Sequence, residues 1–336
     1  MIKLLSTAAM MLIIFTSCYT DFEPDIESSP VVCLNSVAHA GDTLRVNVTR
    51  TWRWSEGLPD ETIDIYIPDA TVDITVNGDK LPQPRYVRLP YTDYYRPDPG
   101  YTYMTDYVVR PGDEIKIHAS TSKYGDAYGE TNVPEGIKID KCETILNKRK
   151  VERRGNSTIY SGDATVLLYF TDPADEVNYY MLSTMMNFRP GPDNRYLHTT
   201  LSYNYDNEPL FAEQITPLDE DANGYTIFTD RQISGKTYAL HMVLEDISYE
   251  ITNGDPSTNP SYVEFSLDEL SETYYKHVLS VWTANDGLSG TLGGIGLGDH
   301  VWELSNVSTG AGVIVSSSSG KWKLPLCEIF GITRPM

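Results

Sequence analysis

Short runs of alternating hydrophobic and polar residues, each bounded by turn residues, constrain the fold of this chain most. Three clear runs precede residue 135, at residues 43–49, 70–80 and 113–120. Alternation with a period of two is typical of a strand with one buried face. The dipeptide Asn77-Gly78 ends the second run, and this pair favours a two-residue hairpin turn. The pattern predicts an antiparallel, immunoglobulin-like β-sandwich over residues 31–134.

New strand patterns follow in the second half of the chain, at residues 164–170, 179–185, 225–228, 238–244 and 262–265. One helix is predicted at about 267–284, because Ser266 and Glu269 have the spacing of a capping box. Hydrophobic residues then recur at helical spacing, at Leu270, Tyr274, Val278 and Val281. We therefore expect a mainly β chain, with a second antiparallel β domain over residues 135–336. That domain could be a sandwich or a partly open barrel.

The N-terminus has the features of a secretory signal. Lys3 precedes an apolar stretch that is too short to span a bilayer, and Thr16 and Ser17 lead to Cys18. This arrangement resembles a bacterial lipobox, in which the cysteine is lipidated and the signal is cut before it. We predict a signal peptide at 1–17, lipidation at Cys18 and an acidic tether at 18–30. A conventional signal peptide with an incidental cysteine is the alternative.

The charge balance excludes some classes of partner. The chain has 47 acidic and 26 basic residues, and a net charge of −21. Nucleic-acid binding needs a clustered basic surface, so no nucleic-acid partner is expected. Anionic lipid headgroups would repel such a chain, so we expect membrane contact only through the lipid anchor.

Tyrosine is over-represented, with 24 Tyr against eight Phe and five Trp. Six of these tyrosines lie in the segment YTDYYRPDPGYTYMTDY at residues 91–107. Flat aromatic rings beside a few polar groups suit stacking on a sugar or contact with a peptide. The candidate ligand or partner contacts are Tyr91, Tyr94, Tyr95, Arg96, Tyr101 and Tyr103. The alternative is a long hairpin whose tyrosines alternate between core and solvent.

No catalytic, metal or cofactor motif emerges from the sequence. The six histidines lack metal-ligand spacing, and the glycine-rich stretch at 287–299 does not match a phosphate-binding loop. Residues 219–230 place oxygen-bearing side chains at several calcium-loop positions, but Asp230 stands where a bidentate Glu is usual. We interpret this segment as a hairpin closed by Asn223-Gly224 rather than as a calcium site. We expect no catalytic residue, no metal and no cofactor.

Three cysteines remain after Cys18. They are Cys33, Cys142 and Cys327. An odd number in an exported protein leaves at least one thiol unpaired, and the sequence does not choose a pairing. Buried free thiols are the default expectation.

The order of several segments resembles the Bacteroidetes lipoprotein family catalogued as domain of unknown function 4249. The segments are PVVCLNSVAHAGDTLRVNVTRT, RPGDEIKIHAS, VLLYFTDPADEVNYYMLS, FTDRQISGKTYALHM, EFSLDELSETYYKHVLSVW and WELSNVSTGAGVIVS. Cys18 and the acidic residues after it resemble the surface-export signal of such lipoproteins. Family members often end in a Gly-Gly-x-Gly motif followed by a hydrophobic residue and Phe, whereas here Asn306 leads to a serine run.

The resemblance implies a two-domain, mostly β lipoprotein of the outer membrane, facing the cell exterior. It also implies a TonB-dependent outer-membrane receptor as partner, with a glycan or peptide as a further candidate ligand. We therefore expect a non-catalytic accessory or binding protein of a nutrient-uptake system. The alternative is a fimbrial or adhesin-type structural lipoprotein, for which the tail GKWKLPLCEIF could act as an exchangeable strand.

Overall fold

The structure is a computed structural model. It describes residues 29–52, 65–89, 100–174, 176–190, 196–201, 203–205, 208–211, 225–256, 259–286 and 304–332. The chain divides into the units Met1–Pro30 and Val31–Met336, and the fold below is that of the second unit. No helix within the described ranges is long and apolar enough to span a bilayer.

Strands dominate the described part of the chain. The strands are β1 (Val32–His39), β2 (Thr43–Arg50), β3 (Thr71–Val76), β4 (Asp79–Lys80), β5 (Arg85–Arg88), β6 (Tyr101–Val108), β7 (Glu114–Thr121), β8 (Gly125–Asn132), β9 (Ile139–Leu146), β10 (Lys150–Arg154), β11 (Ser157–Thr171), β12 (Tyr179–Pro190), β13 (Tyr196–Thr200), β14 (Tyr203–Asn204), β15 (Tyr225–Thr229), β16 (Thr237–Thr252), β17 (Tyr262–Leu270) and β18 (Ile314–Pro325). The helices are α1 (Glu272–Asp286) and α2 (Leu326–Ile329).

The strands form three sheets. The largest has nine strands in the order β13-β12-β17-β18-β1-β2-β6-β5, with β15 also paired to β12. A five-stranded sheet has the order β10-β11-β16-β14, with β9 also paired to β11, and a four-stranded sheet has the order β4-β3-β7-β8. Nearly all neighbours are antiparallel, but β1 and β18 are parallel. The prediction of a mainly β, sandwich-like chain is confirmed, and the described strands form no closed barrel.

Two hydrophobic cores lie between these sheets. The first joins β1 and β2 to the four-stranded sheet, and the second joins β12 and β17 to the five-stranded sheet. Ile314 belongs to the first core and Leu324 to the second. Alternate residues of a strand share one face, so both smaller sheets cover the same face of the nine-stranded sheet. We call this the inner face, and the opposite face the outer face.

The predicted boundary at 134/135 falls between the two cores, since Val133 packs in the first and Ile137 in the second. One sheet nevertheless runs across the boundary, because β1 pairs with β18. The connecting segment crosses the inner face of β18 at its serine–glycine run. A Cβ at Gly320 would overlap the carbonyl oxygen of Ile137, so only a residue without a side chain fits there.

The alternating runs identified in the sequence become strands. The runs at 43–49, 70–80 and 113–120 overlap β2, β3 and β7, and each run of the second half lies within or overlaps a strand. Asn77 has φ 52° and Gly78 has φ 87°, as a type I′ hairpin turn requires. These predictions are confirmed.

The helix exists, but its predicted start at 267 is wrong. Residues 266–270 continue β17, and α1 begins at Glu272, where the Tyr274 amide donates to Ser271 Oγ at 3.3 Å. Phe265 and Leu267 face the second core with a period of two, and this burial outweighs the local capping signal. Glu269 does not cap a helix: its carboxylate accepts the amide of Gly136 at 2.8 Å.

Helix α1 covers part of the outer face. Val278 and Trp282 of the helix are buried against Ile227 of β15. Tyr225 stacks on Trp282 with ring centroids 5.6 Å apart. Aromatic and aliphatic packing of this kind holds the helix on the strands.

Cys33, Cys142 and Cys327 are all free thiols. Burial raises the pKa of the Cys142 thiol to about 12, which makes its thiolate scarce at neutral pH. The expectation of free thiols agrees with this result, but only Cys327 is buried, whereas Cys33 and Cys142 are half-buried.

Candidate functional site

A row of tyrosines crosses the β5–β6 edge of the nine-stranded sheet. It consists of Tyr66, Tyr86, Tyr101 and Tyr103, and we call it the tyrosine ladder. The antiparallel register places Tyr86 opposite Tyr103 and Arg88 opposite Tyr101. Residues two apart on one strand share a face, so β5 and β6 bring these rings together.

The rings of the ladder are in contact one after another. Tyr86 and Tyr101 are stacked, with centroids 5.2 Å apart and planes at 7°. Tyr66 meets Tyr101 edge to face at 5.4 Å, and Tyr86 meets Tyr103 at 5.1 Å. Each such pair contributes about 0.5–1.5 kcal/mol beyond the burial of its area.

Tyr103 is the buried end of the ladder. Its burial corrects the prediction that Tyr103 is a candidate ligand or partner contact. It is 3 % exposed, its hydroxyl donates to the Ile67 carbonyl at 2.7 Å, and it accepts the Ala70 amide at 3.0 Å. Burial raises the pKa of this phenol. Tyr103 is a core residue and offers no contact surface, because its position on β6 faces the first core.

Tyr101 and Arg88 form the accessible end of the ladder. Tyr101 is half-buried, and the guanidinium of the exposed Arg88 lies 5.9 Å from its ring centroid. Gly100 precedes Tyr101 with φ 72°, and a Cβ there would overlap the Tyr66 hydroxyl. Glycine at this position therefore lets Tyr66 reach the edge of the Tyr101 ring.

This end of the ladder has the chemistry of a contact surface. Stacked aromatic rings present a flat apolar face, and the neighbouring guanidinium supplies hydrogen-bond donors. Such a surface can stack on a sugar ring or bind an extended peptide.

The comparisons with known proteins place the chain in a family. The model of the family described as Domain of unknown function (DUF4249) matches residues 19–321. The chain belongs to the DUF4249 family. The resemblance inferred from the order of segments is therefore confirmed at family level. A search of curated proteins found no match.

Several residues predicted from the sequence fall outside the part of this DUF4249 member that the structure describes. They are Cys18, Tyr91, Tyr94, Tyr95 and Arg96, together with residues 219–224 of the calcium-like segment. Asp230 of that segment is described and is buried, at 2 % exposure. The contact interpretation of the tyrosines and Arg96 stays a prediction, and so does the interpretation of residues 219–230 as a hairpin rather than a calcium site.

Tyr66, Tyr86 and Arg88 were not predicted as site residues. Tyr66 lies in the alternating stretch DIYIPD, and Tyr86 and Arg88 lie in the four-residue strand β5 between two prolines. A strand this short gives little periodicity to detect. Arg85, Tyr86, Val87 and Arg88 do not alternate between polar and hydrophobic types, so the sequence carries no clear signal for this strand.

Buried carboxylates elsewhere in this family member serve the structure. Asp172 accepts the Tyr180 hydroxyl at 2.5 Å and the Gly235 amide at 3.0 Å, and burial raises the pKa of its carboxyl. Glu269 accepts from Asn178 Nδ2 at 2.9 Å, and burial raises its pKa too. Among the described residues, no three His, Cys, Asp or Glu side chains converge as a metal site would require.

Proposed function

We propose that this chain is a non-catalytic accessory or binding protein of a TonB-dependent nutrient-uptake system. It is anchored by lipid at Cys18 in the outer membrane and faces the cell exterior. The tyrosine ladder is its contact surface for the receptor, for a glycan or peptide ligand, or for both. Membership in the DUF4249 family and the signal-like N-terminus support the proposal.

The stack of Tyr86 on Tyr101 beside Arg88 carries this proposal. The rings lie at the β5 end of the nine-stranded sheet, where pairing among the described strands stops. An edge strand can accept an extended partner through its backbone, and the rings beside it can select side chains or sugars. Truncating a half-buried aromatic residue at a contact surface is among the changes that weaken protein contacts most.

The tail required by the fimbrial alternative is paired and buried in this structure. Residues 320–325 of β18 pair with β17, whereas the pairing of β18 with β1 is at residues 314–317. The residues that follow β18 are buried, with Ile329 at 3 % exposure and Phe330 at 0 %. An exchangeable strand would have to break its pairing with β17 and expose these buried residues, so the tail favours the binding-protein proposal.

A Ser–His–Asp group on the outer face does not support a hydrolase. Ser319 Oγ lies 3.1 Å from His39 Nε2, but this hydroxyl donates to Asp268. The other ring nitrogen, His39 Nδ1, lies 2.9 Å from Ser317 Oγ. A catalytic triad places the carboxylate on that nitrogen, where it orients the imidazole, and leaves the nucleophile's proton for the histidine.

Affinity purification of the lipoprotein from native outer membranes tests the proposed function. We expect a TonB-dependent receptor to co-purify with the wild-type protein and to be lost with Tyr101→Ala. Tyr128→Ala is the control, because Tyr128 is an exposed tyrosine on β8, away from the ladder. Equal recovery of the receptor with Tyr101→Ala, or no such receptor with the wild type, would overturn the proposal.

A further inference from the structure

A cleft lies beneath helix α1 on the outer face, at the β12–β15 end of the large sheet. Its volume is about 370 Å³. The lining residues that matter here are Tyr179, Ile227, Arg231, Tyr275, Lys276 and Leu279. We call it the helix cleft. It is far from the tyrosine ladder in strand order, because β12 and β5 lie near opposite ends of the sheet.

The walls of the helix cleft are mainly apolar. The rings of Tyr179 and Tyr275 are in contact, with centroids 4.9 Å apart. Ile227 is 1 % exposed, and Leu279 packs in the same cluster. Val177 adds an apolar side chain that is 64 % exposed. Apolar walls with a few polar groups are typical of ligand sites of this volume.

Two cationic side chains line this apolar cleft. Lys276 is paired with Glu272 at 2.7 Å. Arg231 is exposed, and it makes no ion pair with any of the described residues. Its guanidinium presents a planar fork of donors that matches a carboxylate.

We propose that the helix cleft binds a carboxylate attached to an apolar body, with the C-terminus of a short peptide as the class of ligand. The apolar part lies against Tyr179, Tyr275 and Leu279, and the carboxylate pairs with Arg231. The charge of the guanidinium selects an anion, and the apolar walls select a side chain beside it. This site does not depend on the proposed function, since it uses other residues at the other end of the sheet.

Fluorescence anisotropy of the purified full-length chain tests the site. The probes are fluorescein-labelled Gly-Gly-Leu-Phe with a free C-terminal carboxylate and the same peptide with a C-terminal amide. We expect the free acid to bind at least about tenfold tighter, as the loss of one charge-assisted hydrogen bond implies. Equal affinity for the two peptides, or no binding of either at millimolar concentration, would overturn the proposal.

Two charge-reversal variants distinguish binding in the helix cleft from a general effect of the protein's charge. Arg231→Glu is expected to remove the preference for the free acid. Arg153→Glu is the matched control, because Arg153 is an exposed arginine on β10 in another sheet. An equal loss of affinity in both variants would contradict the assignment to Arg231. Because both residues are exposed, unchanged melting temperatures are expected to show that the variants are folded.

Discussion

Ile314 and Leu324 lie on one face of strand β18, yet each is buried in a different hydrophobic core. The strand therefore belongs to both halves of the chain. It pairs with β1 on one side and with β17 on the other. The half that begins at Val32 is thus closed by residues near the C-terminus, and neither core is complete without β18.

The close crossing at Gly320 predicts a stability effect. Gly320→Val would force a side chain against the Ile137 carbonyl, and we expect the free energy of unfolding to fall by about 1–3 kcal/mol. Urea denaturation measures this change. Lys321→Val, at the exposed neighbouring position, is the control and is expected to change stability little. Equal stability of the two variants would show that the crossing is not close.

Lipidation at Cys18 is expected from the N-terminal sequence. Mass spectrometry of the mature protein should show cleavage before Cys18 and acyl chains on its thiol and amine. Cys18→Ala should release the protein from membranes, because more than one acyl chain is needed for stable anchoring. A mature protein that begins at another residue, without acyl mass, would contradict this prediction.

The two ends of the tyrosine ladder should respond differently to substitution. Tyr103→Phe removes a hydroxyl that serves both Ile67 and Ala70, and we expect it to cost about 1–3 kcal/mol of stability. Receptor or ligand contact should be unchanged, since Tyr103 is buried. Urea denaturation and receptor co-purification measure the two effects. Loss of co-purification in a stable Tyr103→Phe variant would contradict the assignment of this residue to the core.

Much of the strand content could be predicted from the sequence, because β2, β3 and β7 have one buried face and therefore alternate. The parallel pairing of β1 with β18 could not, since it joins the two ends of the unit and has no local signal. The start of α1 was misplaced for a related reason: the capping residues at 266–269 lie in a strand held by tertiary contacts. The local sequence pattern shows where polar and hydrophobic residues alternate, but it does not show which sheet the resulting strand joins.

Two of the site residues predicted from the tyrosine-rich segment, Tyr101 and Tyr103, lie in the ladder, and whether the ladder is a contact surface stays a prediction. Composition could not separate the buried Tyr103 from the half-buried Tyr101, since both point to the same face of β6. Tyr103 lies closer to the first core than Tyr101 does. This difference depends on where the four-stranded sheet packs against the large sheet, which the local sequence does not show.

Stability should depend on pH through Glu269. Burial raises the pKa of its carboxyl above the ordinary value, so the folded state holds this proton more strongly than the unfolded state. The contribution of Glu269 to the free energy of unfolding is therefore lost as the pH rises from the ordinary pKa of a glutamate through the raised pKa of the folded state. We expect Glu269→Gln to gain stability relative to the wild type between about pH 5 and about pH 8.

The structure offers a reason for Glu269→Gln to be tolerated. Glu269 accepts from Asn178 Nδ2 and from the Gly136 amide, so an amide oxygen at position 269 keeps the bond from Gly136. The introduced NH2 can then donate to Asn178 Oδ1, which is buried without a hydrogen-bond partner in the described residues, once the Asn178 amide rotates by half a turn. Glu130→Gln, at an exposed glutamate, is the control. Urea denaturation at the two pH values measures both variants. A stability difference from the wild type that does not change with pH would contradict the prediction.

Site-specific photo-crosslinking tests the central claim, that the accessible end of the tyrosine ladder is the contact surface, most directly. A benzoylphenylalanine replaces Arg88 in one protein and Ile145, a 58 % exposed residue of β9, in the control. Irradiation of outer membranes is expected to join position 88, and not position 145, to a TonB-dependent receptor. Adducts of equal yield at both positions, or an adduct at position 145 alone, would contradict the account.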